Sequence, residues 1–516
     1  YGFYTDSLAL VLTKAGTEPI TNLVINFSGN AFMAGTLPGD LLGDGVNSAV
    51  LQLRPKTGLS AGTYTETVTF TADNGISESF QLSFTVNSVP SYSPLPEILD
   101  SGINALVNGK VTNLGNAVTT TEDNQTIITV SLDQAKLEET IADEEQDTVI
   151  EIQVKDNLDK IKVELNGHMV KLMLDKLATL VLRTNIATYT IPIDQIDVDL
   201  VTEQIGKSVN LLDVIFQVEI SLATSDMIKI VESAAENRGF TIVSPVIDFT
   251  VKAVYGNVIV DISSFDNYVE RTIDISEGVE PNGITTGVVV GVDGFVRHVP
   301  TQIVQIDNKY YARISSMTNS MYAVVWNPIT FKDMDKHWAE DAANDMGSRM
   351  VINGVGNDRF NPDQVITRAE FLEIILRGLG LKLENGGTPF TDINQSEWYS
   401  SAINTAYAYQ LINGYEDGTF RPHDLITREQ AISIIVRAMT ITRLKEALSS
   451  QSTGEWVSLY EDAASASEWA TESIADAVQA GIIIGRTDEA LAPKAYITRA
   501  EIALMIQRLL KKSELI

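Results

Sequence analysis

The chain has 516 residues, enough for three to five domains, and no cysteine, which removes disulfides, thiolate chemistry and Cys-type zinc sites. Its 68 Asp and Glu against 37 Lys and Arg give a formal net charge of −31. That balance speaks against nucleic acid and anionic membrane as partners, and suits an outer-surface protein that repels its neighbours unless cations screen it.

Residues 1–88 read as a small all-β sandwich. Phe80, Leu82, Phe84 and Val86 alternate with Gln81, Ser83 and Thr85, the period of a half-buried strand. Val68 and Phe70 mark another strand, and Asp73-Asn74-Gly75 supplies a hairpin turn. Thr and Val abound, and the piece resembles bacterial immunoglobulin-like surface repeats, which implies a spacer. Pro90, Pro94 and Pro96 then predict an extended, stiff linker. The chain opens at Tyr1 in sequence that already reads as folded, as expected of a processed or truncated portion of a longer secreted precursor. No run of 18 apolar residues occurs, so no membrane-spanning helix is expected. Nor is a carboxy-terminal sortase pattern present.

Residues 98–330 read as β-rich with minor helix, divided near 245 into 98–245 and 246–330. Alternation marks strands at Ile150/Ile152/Val154, Ile161/Val163/Leu165, Tyr189/Ile191/Ile193, Phe216/Val218/Ile220 and Ile247/Phe249/Val251. Helices are predicted from Asp133 to Ala142 and from Ser225 to Asn237, the latter ended by Gly239. Short strands with turns at Asp293-Gly294 and Asp307-Asn308 fill 284–326.

The last third repeats on one ruler. Trp338, Trp398 and Trp469 are each followed 16 residues later by Gly354, Gly414 and Gly485, and 14 residues after those by Arg368, Arg428 and Arg499. Around the arginines stand Val-Ile-Thr-Arg-Ala-Glu (365–370), Leu-Ile-Thr-Arg-Glu-Gln (425–430) and Tyr-Ile-Thr-Arg-Ala-Glu (496–501). Two spacings fixed in three copies mean one supersecondary unit used three times around a shared core. Thr367 with Glu370, Thr427 with Gln430 and Thr498 with Glu501 form capping boxes, and Phe371, Ile374, Ile375 and Leu379 follow at helical spacing. An earlier helix is expected from about Trp338 toward Met350, with a loop of turn residues between, including Asn353-Gly354 and Phe360-Asn361-Pro362. Capping accounts for Thr and Glu. It leaves the arginines, which sit in a first turn where the helix dipole disfavours a cation, and so they point to an anionic ligand.

This repeat resembles the S-layer homology module. The likeness rests on Phe331-x-Asp333 with Trp338-Ala339, Phe390-x-Asp392 with Trp398, Tyr460-x-Asp462 with Trp469-Ala470, the glycine loop and the Ile-Thr-Arg helix start, and covers residues 331–511. It gives modules at 331–385, 390–445 and 460–516, and implies an all-α pseudo-threefold bundle. The family resemblance also implies grooves that bind a secondary cell-wall polymer of Gram-positive bacteria through a pyruvylated amino sugar such as pyruvylated ManNAc. The arginines would hold the ketal carboxylate through paired N–H groups. The tryptophans, Gly354, Gly414, Gly485, Asp333, Asp392 and Asp462 would line the sugar groove. The segment from Thr285 to Trp326 resembles one that precedes such modules in large wall-bound proteins.

Each residue also has a plainer reading. The tryptophans could pack at a module seam. The aspartates read first as caps on the first helix, and the glycines as positions needing positive φ. For the arginines the plainer reading is an intermodule salt bridge. Copy three lacks the Asp-Gly and Phe of copy two, copy two departs from Thr-Arg-Ala-Glu, and an extra segment occupies about 441–459, so uneven grooves are expected.

Catalytic signals are thin. His168, His298, His337 and His423 are scattered, Gly206-Lys207-Ser208 lacks the rest of a phosphate loop, and no Gly-x-Ser-x-Gly elbow occurs. Glu138-Glu139 and Glu144-Glu145 read as solvated surface, although a glycosidase carboxylate pair is decided by separation in space. Asn26-Phe-Ser28 and Asn124-Gln-Thr126 match a glycosylation pattern that carries little weight on a bacterial surface. No cofactor is expected. Calcium-assisted assembly fits the charge, but no Asp-x-Asp-x-Asp-Gly loop marks a site, and Gly414-Tyr-Glu-Asp-Gly418 reads as a turn. The leading expectation is a non-enzymatic S-layer-type protein, secreted and held non-covalently on the wall, with further copies of itself as lattice partners. The alternatives are a monomeric adhesin or a wall-anchored glycan-active enzyme using the same anchor.

Overall fold

The computed structural model describes residues 8–13, 20, 23–34, 48–56, 62–86, 102–122, 125–154, 159–206, 209–276, 278–306, 309–448, 460–487 and 489–516. The proline linker, the Asp307-Asn308 turn, Asn124, Lys207-Ser208 and most of the insert before the third copy lie outside these residues. The chain divides into two compact units, Tyr1–Ile98 and Leu99–Ile516.

In the first unit, strands Leu8–Thr13, Ser48–Pro55 and Phe32–Ala34 form one antiparallel sheet, and Val24–Phe27, Gly62–Ala72 and Ile76–Val86 another. Leu51 and Leu53 of the first sheet and Val68 and Phe70 of the second are buried in one cluster. The expected Asp73–Gly75 turn joins the last two strands, with Gly75 at φ +75°.

Residues 102–326 of the second unit carry one network of paired strands around one main core. The divide expected near 245 falls inside it. Ile215–Leu222 pairs antiparallel with Ile247–Tyr255, and Ala187–Pro192 with Ser264–Asp274, so strands from both sides of 245 bury the same core. Helix α1 (Gln134–Ala142) starts where expected, with Asp133 accepting from the Lys136 N–H. Helices α2 (Gly167–Asp175) and α3 (Val198–Ile205) begin at the side-chain caps Asn166 and Asp197. Helix α4 (Ser225–Arg238) ends at Gly239, in the left-handed region at φ +77°. Ile193, expected in a strand, opens a 3₁₀ turn after Pro192.

Arg271 lies at the centre of this core, with none of its surface exposed. Its terminal nitrogens donate to the carbonyls of Val269, Ser316 and Thr318, to Asn319 Oδ1 and to the Tyr189 hydroxyl. The Tyr189 and Tyr322 rings each lie 4.9 Å from its guanidinium carbon.

Among the described residues, 331–516 contribute six α-helices: α5 (Glu340–Ser348), α6 (Arg368–Gly378), α7 (Ser400–Ala408), α8 (Arg428–Ile441), α9 (Glu468–Gln479) and α10 (Arg499–Lys512). All three expected capping boxes are formed at the starts of α6, α8 and α10. The modules share one apolar core and are linked in a closed cycle. The second helix of each packs on the first helix of the next, α6 on α7, α8 on α9 and α10 on α5. Just before the second helices, isolated bridges pair Val365 with Thr498, Thr367 with Leu425 and Thr427 with Tyr496.

The β network is fastened to the first module. The Tyr268 hydroxyl donates to the Leu379 carbonyl at 2.7 Å, Asn327 Nδ2 to the Ser348 carbonyl at 2.7 Å, and Arg297 to the Gly380 carbonyl. Gly380 has φ +63°, and a Cβ there would stand 2.6 Å from Pro300 Cδ, so this seam requires glycine.

Candidate functional site

The repeated arginines leave their own helices. Arg368 Nε donates to the Phe420 carbonyl in the second module's loop at 2.9 Å, Arg428 Nε to the Leu491 carbonyl in the third at 2.9 Å, and Arg499 Nε to the Phe360 carbonyl in the first at 2.8 Å. The side chains span module boundaries in the same cyclic sense as the helices. This resolves the helix-dipole conflict: each cation sits among loop carbonyls of a neighbour, away from its own helix start.

The aspartates were expected to cap the first helices, but those helices have Ala339, Tyr399 and Ser467 at the cap position instead. Asp333 accepts from the backbone N–H groups of Phe360 and Asn361 at 2.7 and 2.8 Å. Asp392 does the same for Phe420 and Arg421, and Asp462 for Leu491 and Ala492. Each carboxylate thus pins the loop whose carbonyl receives a neighbouring arginine. Burial alone would raise the Asp333 carboxyl, but the two N–H groups outweigh it and hold it below its ordinary value.

The glycines serve mainly close approach. A Cβ on Gly354 would stand 2.8 Å from the Phe331 ring, on Gly414 2.3 Å from the Phe390 ring, and on Gly485 2.8 Å from the Tyr460 ring. Of the three, only Gly414 has the expected positive φ, at +73°. The tryptophans are not core residues: Trp338, Trp398 and Trp469 are 62%, 59% and 58% exposed.

Beside the second module's loop is a groove of about 540 Å³. It draws on all three modules: Arg368 from the first, Asn413-Gly414-Tyr415, Gln430, Ser433 and Arg437 from the second, and Trp469 from the third. Arg368 is 7% exposed and lies 4.5 Å from the Phe420 ring centre. Burial pulls its pKa down from the ordinary arginine value, but a guanidinium keeps its proton in proteins. Among the described residues it forms no ion pair, and its two terminal nitrogens have no hydrogen-bond acceptor. Among the described residues, Arg437 donates only to the Leu411 carbonyl, at 3.3 Å. Arg421 is neutralised by Asp417 at 2.8 Å. Hydrogen bonds from Thr419 and Arg421 hold the Asp417 carboxyl at about 2. The Ser433 hydroxyl is buried without a hydrogen-bond partner. Arg368 and Arg437, without ion pairs among the described residues, thus stand with an exposed indole in a groove that Glu416 and Asp417 also line, an arrangement that can take a carboxylate on the guanidiniums and an apolar face on the ring.

The third module differs. Arg428, 2% exposed, pairs with Glu501 at 2.9 Å, and Glu501 also receives Arg486 at 2.7 Å. This is the intermodule salt bridge of the plainer reading. Burial would raise the Glu501 carboxyl, but Arg486 and Arg428 outweigh it and hold it below its ordinary value. In the first module, Arg499 spends one of its two terminal nitrogens, Nη2, on the Asn353 carbonyl at 2.5 Å.

Sequence reasoning missed Arg377, Arg437 and Arg508, though each follows its repeat arginine by nine residues in every copy. It also missed why copy two has Glu429 where the others have alanine. Glu429 accepts from the Ser467 N–H at 2.9 Å, at the start of α9, and from Lys494 at 2.7 Å. No group of residues suited to hold a metal ion occurs among those described.

Comparison with known proteins agrees with the repeat. The S-layer homology domain model matches residues 330–372, 389–432 and 459–503. The chain is 32% identical over 277 residues to an amylopullulanase of Thermoanaerobacterium thermosulfurigenes, a match covering 52% of this chain and 14% of that protein. That stretch is longer than the three modules together, so the likeness extends beyond them. It is 38% identical over 117 residues to a cellulosome-anchoring protein of Acetivibrio thermocellus, covering 22% and 26% of the two chains. A surface layer protein of Brevibacillus choshinensis is 31% identical over 137 residues, covering 24% and 12%. The chain therefore spans only a minor part of the length of these relatives. It carries three S-layer homology domains and is a secreted, cell-wall-associated protein.

Proposed function

We propose that the three modules hold this protein non-covalently on the Gram-positive cell wall by binding an acidic secondary polymer in grooves between modules. The observation that carries this reading is Arg368, a buried guanidinium with free terminal nitrogens facing an open groove in a chain of net charge −31. A burial of this kind is unfavourable unless a counter-charge arrives. A carboxylate fits the planar fork, and the exposed tryptophan offers a face for the sugar ring. A pyruvylated amino sugar such as pyruvylated ManNAc supplies that carboxylate on a ring. Arg368, Gly414 and Trp469 would contact it in the second groove, with Asp392 fixing the loop. Arg428, Arg499, Trp338, Trp398, Gly354, Gly485, Asp333 and Asp462 hold the corresponding places elsewhere. The N-terminal sheets then act as an immunoglobulin-like spacer, and the whole chain as an S-layer-type structural protein whose copies form a lattice with a divalent cation such as calcium screening their charge.

The test is binding of the full chain to purified secondary polymer before and after mild acid removes its ketal pyruvate. Loss of binding after removal is expected, and unchanged binding would contradict the carboxylate's role. The amylopullulanase likeness favours a second reading, in which the same anchor holds a glycan-active enzyme. Polysaccharide hydrolysis by this chain, abolished by changing one carboxylate in 98–330, would select it.

A further inference from the structure

The third residue of each module's second helix is Glu370, Gln430 or Glu501. Each closes a capping box through its side-chain oxygen, so carboxylate and amide serve the fold alike. They differ in charge and in what they do with the arginine arriving from the preceding module: Glu501 pairs with Arg428, Gln430 lines the groove that Arg368 enters, and Glu370 accepts from Thr367 and forms no ion pair with Arg499 among the described residues. In the third groove, Glu501 takes Arg428 at 2.9 Å and Arg486 at 2.7 Å, so that Nη1 of Arg428 is occupied by an internal carboxylate and its Nη2 is buried without an acceptor. In the second, the same position is the neutral Gln430, which donates to the Tyr415 hydroxyl at 3.3 Å and leaves Arg368 without an ion pair. Ser433, one helical turn further on, lines this groove, and its buried hydroxyl has no hydrogen-bond partner among the described residues.

We infer that this helix position sets the second and third grooves apart toward an acidic ligand: Gln430 keeps the second groove receptive, and Glu501, bound to Arg428 and Arg486, closes the third from within. The inference rests on the anchoring reading and ranks grooves within it. An anion entering the second groove meets Arg368 and Arg437, neither of them ion-paired among the described residues, beside the carboxylates of Glu416 and Asp417 on the same lining. One entering the third must displace an internal carboxylate already held by two guanidiniums.

The experiment is retention of the full chain on Gram-positive cell walls that carry their secondary polymer, comparing the wild type with Gln430→Glu and Gln430→Met. Glutamate caps the corresponding helices α6 and α10, so Gln430→Glu is expected to keep its melting temperature. It should weaken retention roughly tenfold or more, because it puts a negative charge beside the ligand's own. The neutral Gln430→Met should lose far less. Retention of Gln430→Glu at the wild-type level, or equal losses in both variants, would overturn the ranking while leaving the anchor standing. A wild-type chain that binds no wall would overturn the anchoring reading itself.

Discussion

Arg271 in the β network and Arg368 between the modules are both buried, and neither has an ion pair among the described residues. Their surroundings differ. Arg271 is closed on every side by carbonyls, an amide oxygen, a phenol and four aromatic rings. Arg368 makes one hydrogen bond and turns its remaining donors toward a groove. Arg271 places both terminal nitrogens on internal acceptors and leaves only Nε, buried, without one, whereas the terminal nitrogens of Arg368 stay available at a groove, where something from outside can reach them. Arg428 lies between them: it is sealed by Glu501, yet one of its terminal nitrogens, Nη2, is buried without an acceptor.

Substitutions should separate the three. Arg271→Ala should have the largest effect on stability, about 3 kcal/mol or more, since it opens a cavity and strands several buried acceptors. Urea unfolding would measure it, and a loss below about 1 kcal/mol would show that the aromatic cage carries the core alone. Arg428→Ala should come next, at about 2 kcal/mol, because Glu501 loses a buried counter-charge but keeps Arg486. Its pH dependence gives a second reading. The folded Glu501 carboxyl lies below its ordinary value of 4.5, so its stabilising contribution is complete above about pH 4.5 and is lost as the pH falls through the lower folded value. The variant's unfolding free energy should fall less steeply in that acid range than the wild type's. Arg368→Ala should have the smallest effect, under about 1 kcal/mol, while weakening wall binding the most. If it unfolded the protein as severely as Arg271→Ala, the contrast between the two sites would collapse.

What was legible in the sequence was what is local. The capping boxes span three residues, and Thr367–Glu370, Thr427–Gln430 and Thr498–Glu501 could be read directly. Helix α4 announced its end with Gly239 in the same way. What sequence could not supply was the destination of a side chain that crosses a module boundary. Arg499 meets Phe360 across 139 residues, and Asp392 meets Phe420 across 28. Cap preference therefore assigned the aspartates to the nearest helix start, where their carboxylates are not found. The dipole argument reached an anionic ligand by placing the arginines at a helix end that their side chains leave. Burial statistics left a seam and a ligand contact equally open for the tryptophans, and these are more than half exposed. The β network obeyed alternation strand by strand, but periodicity carries no information on which strands pair. The boundary near 245 consequently cut through one core.

The most direct test of the anchor is co-sedimentation of the full chain with purified Gram-positive cell walls, before and after chemical removal of the polymer that is not peptidoglycan. Sedimentation with intact walls and not with stripped walls is the predicted result. Equal sedimentation with both would place the binding on peptidoglycan itself, and would contradict an acidic polymer held by Arg368.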